Sequence, residues 1–274
     1  MSKISSCISL SRVLPISKLE QNINAISSLV YNDDDVLDSF LQKVDQPLII
    51  NTQNGNFICC EYNREGDSYR FPGTNDYFPP LENITFQNEK LLDLEIKLNK
   101  LFKIYTKFYY SENAISSVFC YVIDEDNYDE FVVAVLISNK ISNNNSNNKT
   151  NNGKWESSNL LTLNINREDN EIQFNLISSV NVYLNANLNC GIDSKLCVGG
   201  SLTKSMEKKL RFNGNEPEEQ FLIDNIGTLI EDLETRIRDE IEVIYFQKTT
   251  EIIDSCRHIS NKNEIIRDLR NIMK

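Results

Sequence analysis

The side chains that could do chemistry are few, and their spacing works against most reactions. His258 is the one histidine among 274 residues. No histidine-based metal cluster or H-E-x-x-H zinc helix can be built from it. Cys256 stands two positions earlier, and residues i and i+2 of a helix point to different sides, so the pair makes no nucleophile–base dyad. Seven cysteines (7, 59, 60, 120, 190, 197 and 256) fall at irregular spacings without a C-x-x-C. They read as reduced, mostly buried thiols of a cytosolic protein. Gly199-Gly200-Ser201 lacks both the G-x-G-x-x-G and the G-K-[ST] spacing of phosphate cradles and is predicted as a turn. Asp124, Glu125 and Asp126 read as a solvated strand-to-strand turn. The sequence therefore predicts no catalytic, metal or cofactor-binding residues and no enzyme.

What remains is binding chemistry, and charge locates part of it. The formal net charge is −12, which argues against a surface that wraps nucleic acid or docks broadly on an anionic membrane. Residues 248–274 oppose that sign: six Lys/Arg against four Asp/Glu give them +2, and the rest of the chain carries −14. Within them, Ile265, Ile266, Leu269, Ile272 and Met273 fall on one helical face and Arg267, Asp268, Arg270 and Asn271 on the other. Eleven residues are marginal as an isolated helix in water, so this face calls for a partner groove or for the protein's own body. The N-terminus has no apolar h-region, and no run of 18 apolar residues predicts a membrane span. The sequons at Asn83, Asn144 and Asn148 carry no meaning without a secretory route.

The elements that position this tail follow from periodicity. Residues 4–44 hold apolar sets at helical spacing (Ile8, Val13, Ile16; Ile23, Ile26, Leu29, Val30; Val36, Leu37, Phe40, Leu41, Val44), broken by Pro15 and by the acids before Val36, which predicts three short helices. Residues 48–80 alternate short strands with Asn54-Gly55, Glu65-Gly66-Asp67, Pro72-Gly73 and Pro79-Pro80 turns. Leu91, Leu94, Leu98, Leu101 and Tyr105 form a helical stripe. Strands are predicted at 117–123, 131–138, 159–165, 172–183 and 195–198, as an antiparallel meander. The Asn-rich stretch 139–153 is predicted as a solvated loop. From Glu218 to Cys256 a stripe (Leu222, Ile226, Leu229, Leu233, Ile237, Ile241, Ile244) predicts one helix of roughly 58 Å at 1.5 Å per residue, lying across the sheet. Gly227 within it implies a close helix-to-sheet contact. The expected divisions are 1–45 (helical stalk), 46–84 (small β/turn layer), 85–112 (connecting helix), 113–210 (central sheet), 215–259 (long helix) and 260–274 (tail). The fold class is α+β.

Several strings, in order, resemble the β subunits of the heterodimeric actin-capping proteins. They are VDQPL (Val44 to Leu48), CEYNREGDSYRFP (Cys60 to Pro72), PPLE (Pro79 to Glu82), SSV (Ser116 to Val118), GKWES (Gly153 to Ser157), GGSLTKSMEK (Gly199 to Lys208), NIGTLIEDLETRIR (Asn225 to Arg238) and VIYFQKT (Val243 to Thr249). The resemblance covers nearly the whole chain. It implies the capping-protein fold: a three-helix stalk, a small β layer, a central antiparallel sheet crossed by a long helix, and a mobile amphipathic tail. It also implies an α-subunit partner whose sheet joins this one edge to edge. The expected activity is Ca-independent blocking of actin filament barbed ends, in the cytoplasmic actin cytoskeleton, with no nucleotide, metal or other cofactor.

The same resemblance implies two sets of site residues. For actin they are the tail face Ile265, Ile266, Leu269 and Ile272, with Arg238, Lys248, Arg257, Arg267, Arg270 and Lys274 as cations that steer toward acidic actin. Arg238 matches a basic position near the family's actin face and phosphoinositide site. For regulatory peptides with the capping-protein-interacting motif they are Asp45, Glu61, Asn63, Arg64, Asp67, Tyr69 and Arg70, with Asp45 and Glu61 as charge partners for basic side chains. Three departures stand out: a longer Asn-rich stretch, Val13 where the family has a second Arg beside Arg12, and a shorter tail after Ile253. The last leaves a scaffold subunit that caps weakly as the alternative.

Overall fold

A computed structural model describes residues 3–14, 18–41, 48–52, 55–81, 88–110, 112–124, 127–144, 150–189, 193–212, 214, 217–247, 250–251 and 254–255. Three N-terminal helices, α1 (Lys3–Val13), α2 (Leu19–Val30) and α3 (Asp34–Leu41), pack on one another around Cys7, Ile23, Ile26 and Phe40. Periodicity predicts three helices here; the break expected at Pro15 lies outside the described residues. Leu29, read as part of the apolar stripe, is 77% exposed.

A small layer follows. β1 (Ile49–Asn51) pairs with β2 (Phe57–Cys59), and β3 (Arg64–Glu65), β4 (Ser68–Arg70) and β5 (Tyr77–Phe78) form a second sheet. Helix α4 (Glu89–Tyr109) then leads into five antiparallel strands: β6 (Ile115–Asp124), β7 (Asn127–Asn144), β8 (Thr150–Asn166), β9 (Glu171–Asn189) and β10 (Asp193–Arg211). Their order is sequential, with β6 and β10 at the edges. One face carries α4 and α5 (Glu218–Ile241), which meet Val118, Val133, Leu161, Phe174 and Val180 in the main core. On the other face β2 presses Ile58 between Phe119 and Leu136, and the Ile58 amide donates to Ser117 Oγ at 2.9 Å. Alternation along the strands produces both contacts, because successive side chains leave opposite faces.

Four expectations are corrected here. The described residues of the Asn-rich stretch, 139–144 and 150–153, are strand: Asn139 pairs with Trp155, Ile141 with Gly153 and Asn144 with Thr150. The backbone ladder needs no apolar side chains, and β9 supports it from the other side at Asn152–Asn185. A Cβ at Gly153 would overlap Leu184 and lie 2.9 Å from the Tyr183 carbonyl oxygen, so glycine lets the ribbon close. Gly199-Gly200 is likewise mid-strand, opposite Tyr183 and Val182, and β10 runs 19 residues rather than four.

The long helix is not regular over its predicted length: after α5 it passes through a π-helical segment, and residues 250–251 and 254–255 are again helical. α5 has 24 residues, about 36 Å at 1.5 Å per residue, and continues as a π-helical turn, Glu242–Gln247. The wider turn rotates the stripe off the sheet, leaving Val243 and Ile244 54% and 40% exposed. Finally, Gly227 faces α4 rather than the sheet: a Cβ there would stand 3.2 Å from Leu101 Cδ2.

Candidate functional site

The C-terminal half of α5 is organised by a carboxylate. Glu234 is fully buried although it borders the apolar stripe between Leu233 and Ile237. It accepts hydrogen bonds from Tyr105 (2.7 Å) and Tyr110 (2.9 Å), from Asn159 Nδ2 (2.9 Å) and from Ser157 Oγ. α4, the residue after it and β8 thus converge on one side chain of α5. Burial, and then the charge of Glu234, push the pKa of both Tyr105 and Tyr110 up. The phenols stay protonated and can donate.

Arg238 lies one turn further along. Its guanidinium is 3.2 Å from Glu234 Oε2 and stands over three rings: Tyr110 at 4.6 Å, Tyr109 at 5.0 Å and Trp155 at 5.9 Å from the centroids. Such stacking favours arginine over lysine. Burial, the largest single influence, lowers its pKa, but Tyr110, Tyr105 and Glu234 together outweigh that and the net shift is upward. Only 24% of the side chain reaches solvent. Arg238 is therefore held by internal partners at the end of α5, from which the chain leaves toward the tail. Lys248, Arg257, Ile265, Ile266, Arg267, Leu269, Arg270, Ile272 and Lys274, named with it for actin, lie outside the described residues.

The second candidate zone is the hairpin of β3 and β4 with the 3-10 turn Glu61–Asn63 before it. Gly66 sits at φ +59°, a conformation that glycine adopts without strain, and makes the turn tight. Glu61, Arg64, Glu65 and Asp67 project outward. Arg64 Nε donates to the Gly66 carbonyl at 2.8 Å, and its guanidinium is 3.9 Å from Asp67. Tyr69 is half-buried.

Two members of the set face inward. Asn63 is 3% exposed; its Oδ1 accepts from the Cys60 amide at 2.9 Å and its Nδ2 donates to the Ile58 and Arg70 carbonyls at 3.3 and 2.9 Å. Arg70, also 3% exposed, makes a two-pronged pair with Glu95, both bonds at 2.8 Å, and lies over the Phe119 ring. Glu95 also accepts from the Gly73 and Cys120 amides at 2.6 and 2.7 Å. These residues fasten the small layer to α4 and β6, and offer nothing to a ligand on the surface. Asp45 lies outside the described residues.

Sequence reasoning missed Glu95, Glu234, Tyr109 and Tyr110. A signal for the acids was present: each occupies a stripe-adjacent position, beside Leu94 and Leu233, where a helix facing a core otherwise shows apolar residues. Among the described residues no group of three His, Cys, Asp or Glu side chains is placed to hold a metal, and no helix is long and apolar enough to cross a membrane. Among the described residues, Cys7, Cys59, Cys60, Cys120 and Cys197 form no disulfide. Burial pushes Cys60 up to about 12, far from a reactive thiolate.

Comparison with known proteins gives concordant matches. The family described as "F-actin capping protein, beta subunit" matches residues 4–253. The F-actin-capping protein subunit beta of Dictyostelium discoideum is 33% identical over 267 residues, spanning 96% of this chain and 92% of that protein. The subunit beta of Candida glabrata is 31% identical, spanning 98% of this chain and 99% of its own length. Among solved structures, a homodimeric actin capping protein alpha subunit from Plasmodium berghei overlays loosely, with a TM-score of 0.46 and 15% identity across 94% of this chain and 92% of that one.

Proposed function

Because this chain belongs to the F-actin capping protein beta-subunit family, we propose that it pairs with an α subunit, binds the barbed ends of actin filaments and blocks addition and loss of actin subunits without calcium. No catalytic step and no cofactor enters this reading. The observation that carries it is the arrangement of β10 and α5. β10 is a 19-residue edge strand, paired on one side only within the described residues. An edge of that length with unpaired amides and carbonyls is a template for another strand. A sheet from an α subunit would cover it and extend the platform under α5.

The filament-facing role falls to what leaves the end of α5. The tail face Ile265, Ile266, Leu269 and Ile272 would enter an apolar cleft on actin, each fully buried side chain contributing roughly 1.5–3 kcal/mol. Lys248, Arg257, Arg267, Arg270 and Lys274 would raise the rate of encounter. Arg238, being held by Glu234 and three rings, fixes the point from which these residues depart. The outward acids Glu61 and Asp67, with Asp45, would pair with basic regulatory peptides, and basic groups near the actin face would take phosphoinositide headgroups.

Elongation of pyrene-labelled actin from filament seeds tests this, with the chain co-purified with its α subunit. Half-maximal inhibition at nanomolar concentration is expected. Deleting residues 264–274 should weaken it mainly through faster dissociation. A folded heterodimer that leaves elongation untouched would refute capping and assign the chain a scaffold role.

A further inference from the structure

α4 and α5 lie side by side and run in the same direction: Lys97 pairs with Glu219, Leu101 faces Gly227, and Tyr105 donates to Glu234 at 2.7 Å. Both helices therefore end at one corner of the molecule, where Arg238 stacks on Tyr109 and Tyr110. The outer face of α4 leading to that corner is unlike the rest of the chain. Lys100, Lys103, Ile104, Lys107 and Phe108 stand at i, i+3, i+4, i+7 and i+8 and so share one face, turned away from the buried Leu98, Phe102 and Thr106. Ile104 is 54% and Phe108 80% exposed. The three lysines are exposed, and among the described residues none of them has an ion-pair partner. Residues 96–109 hold four lysines and no acid, in a chain whose net charge is −12.

We propose that this face is a second contact with the filament end, made by the rigid body and separate from the tail. It rests on the capping reading above. Two observations select the occupant. Continuity is one: the tail leaves from the end of α5, so a filament end that receives the tail lies against the adjoining end of α4. Charge is the other: unpaired lysines around an apolar centre fit an acidic surface with an apolar patch, and the proposed target of the tail's cations is acidic. The α subunit leaves the face free. Asn99 and Glu95 fasten α4 to the backbone of Val118 and Cys120 in β6, the edge of the sheet opposite β10, where the partner sheet would join.

Such an arrangement makes capping bivalent. The lysines raise the rate of encounter, and Ile104 and Phe108 lose their exposure only once the body is seated. A seated body keeps the tail at high effective concentration near its cleft, so loss of either contact speeds release without abolishing binding.

Seeded elongation of pyrene-labelled actin tests the contact, with the full-length chain co-purified with its α subunit. Lys100→Glu with Lys103→Glu and Lys107→Glu should slow association about ten-fold at low salt and flatten its salt dependence. Phe108→Asp should speed dissociation by about three- to ten-fold. All four side chains are exposed, so melting temperatures should hold. Lys100→Gln with Lys103→Gln and Lys107→Gln is the second variant, with a smaller slowing expected, should the glutamates fail to fold. Inhibition by the unmodified protein that neither the charge changes nor Phe108→Asp alters would overturn this contact alone. Elongation untouched by the unmodified protein would overturn it together with the capping reading. Two other occupants would also overturn it. Self-association of the heterodimer that Phe108→Asp abolishes would assign the face to a second copy. Binding to phosphatidylserine vesicles that the variants lose, with elongation unchanged, would assign it to a lipid surface.

Discussion

Glu95 on α4 and Glu234 on α5 are both buried to 0% exposure, yet the protein satisfies them in different ways. Glu95 receives a full counter-charge: both prongs of Arg70 at 2.8 Å, plus the Gly73 and Cys120 amides. Arg70 is sealed with it, its side chain 4% exposed. Glu234 instead collects two phenols, a serine hydroxyl and an asparagine amide, with Arg238 at a longer 3.2 Å and still reaching solvent. A sealed ion pair with fixed geometry joins layers that must not move. A carboxylate held by neutral donors keeps its satisfaction if the arginine shifts. The first arrangement belongs to the framework between the small layer and the sheet. The second sits where α5 gives way to the π-helical turn and the basic tail, at the end proposed to meet the filament.

The sharpest way to break this comparison is to remove one partner from each site. Glu95→Ala leaves Arg70 charged and buried, and leaves the Gly73 and Cys120 amides without an acceptor. Breaking a buried pair in this way costs about 3–5 kcal/mol. Denaturant unfolding of the purified protein should show that loss, and Arg70→Met combined with Glu95→Leu should recover the part due to the stranded charge but not the part due to the Gly73 and Cys120 amides, which stay without an acceptor. A single-variant loss below about 1 kcal/mol would mean that the pair is not a tie between layers.

Arg238→Ala should cost less, about 1–2 kcal/mol, because stacking on the rings is partly desolvated while the exposed share of the ion pair contributes little. Glu234 keeps four neutral donors and is not stranded. The same variant should leave the salt dependence of association with filament ends nearly unchanged, whereas Arg267→Glu with Arg270→Glu should weaken it. A large change in salt dependence from Arg238→Ala alone would return this residue to the steering role read from the sequence.

Much of the framework was legible in the chain because periodicity is set by burial. Val118, Cys120, Val133 and Val135 alternate along β6 and β7, and Leu222, Ile226, Leu229 and Leu233 recur along α5. Where burial did not set the pattern, the reading failed. β10 beyond Val198 keeps apolar residues only at every fourth position, Leu202, Met206 and Leu210, and Asn139–Asn144 has Ile141 alone, so hydrogen-bonded pairing left too sparse a hydrophobic trace there for a strand reading. Past Ile241 the stripe was read as regular α-helix because a π-helical turn changes the geometry without changing the composition. Of the site, the motif strings located the segments. They could not say which members face inward, because Asn63 and Arg70 are the same residue types that a ligand site would use.

That division inside one signature segment yields the smallest expected effect on the fold. Asn63 and Arg70 hold the hairpin to the core, whereas Asp67 stands clear of the protein, its side chain 103% exposed, and Glu61 is exposed beside it. Glu61→Lys with Asp67→Lys should leave the melting temperature unchanged, since exposed substitutions away from packed features rarely alter stability. It should nevertheless weaken binding of a basic capping-protein-interacting-motif peptide by several-fold, about 3–10, chiefly through slower association, as reversal of rim charges does. Asn63→Ala is the contrast: three hydrogen bonds to Cys60, Ile58 and Arg70 disappear from a buried site, so any loss of peptide binding would come with a lower melting temperature. Titration of both variants with the labelled peptide, read beside their thermal unfolding, separates the two roles. Unchanged peptide affinity in the double lysine variant would remove the hairpin from the regulator site and leave the whole signature segment to the fold.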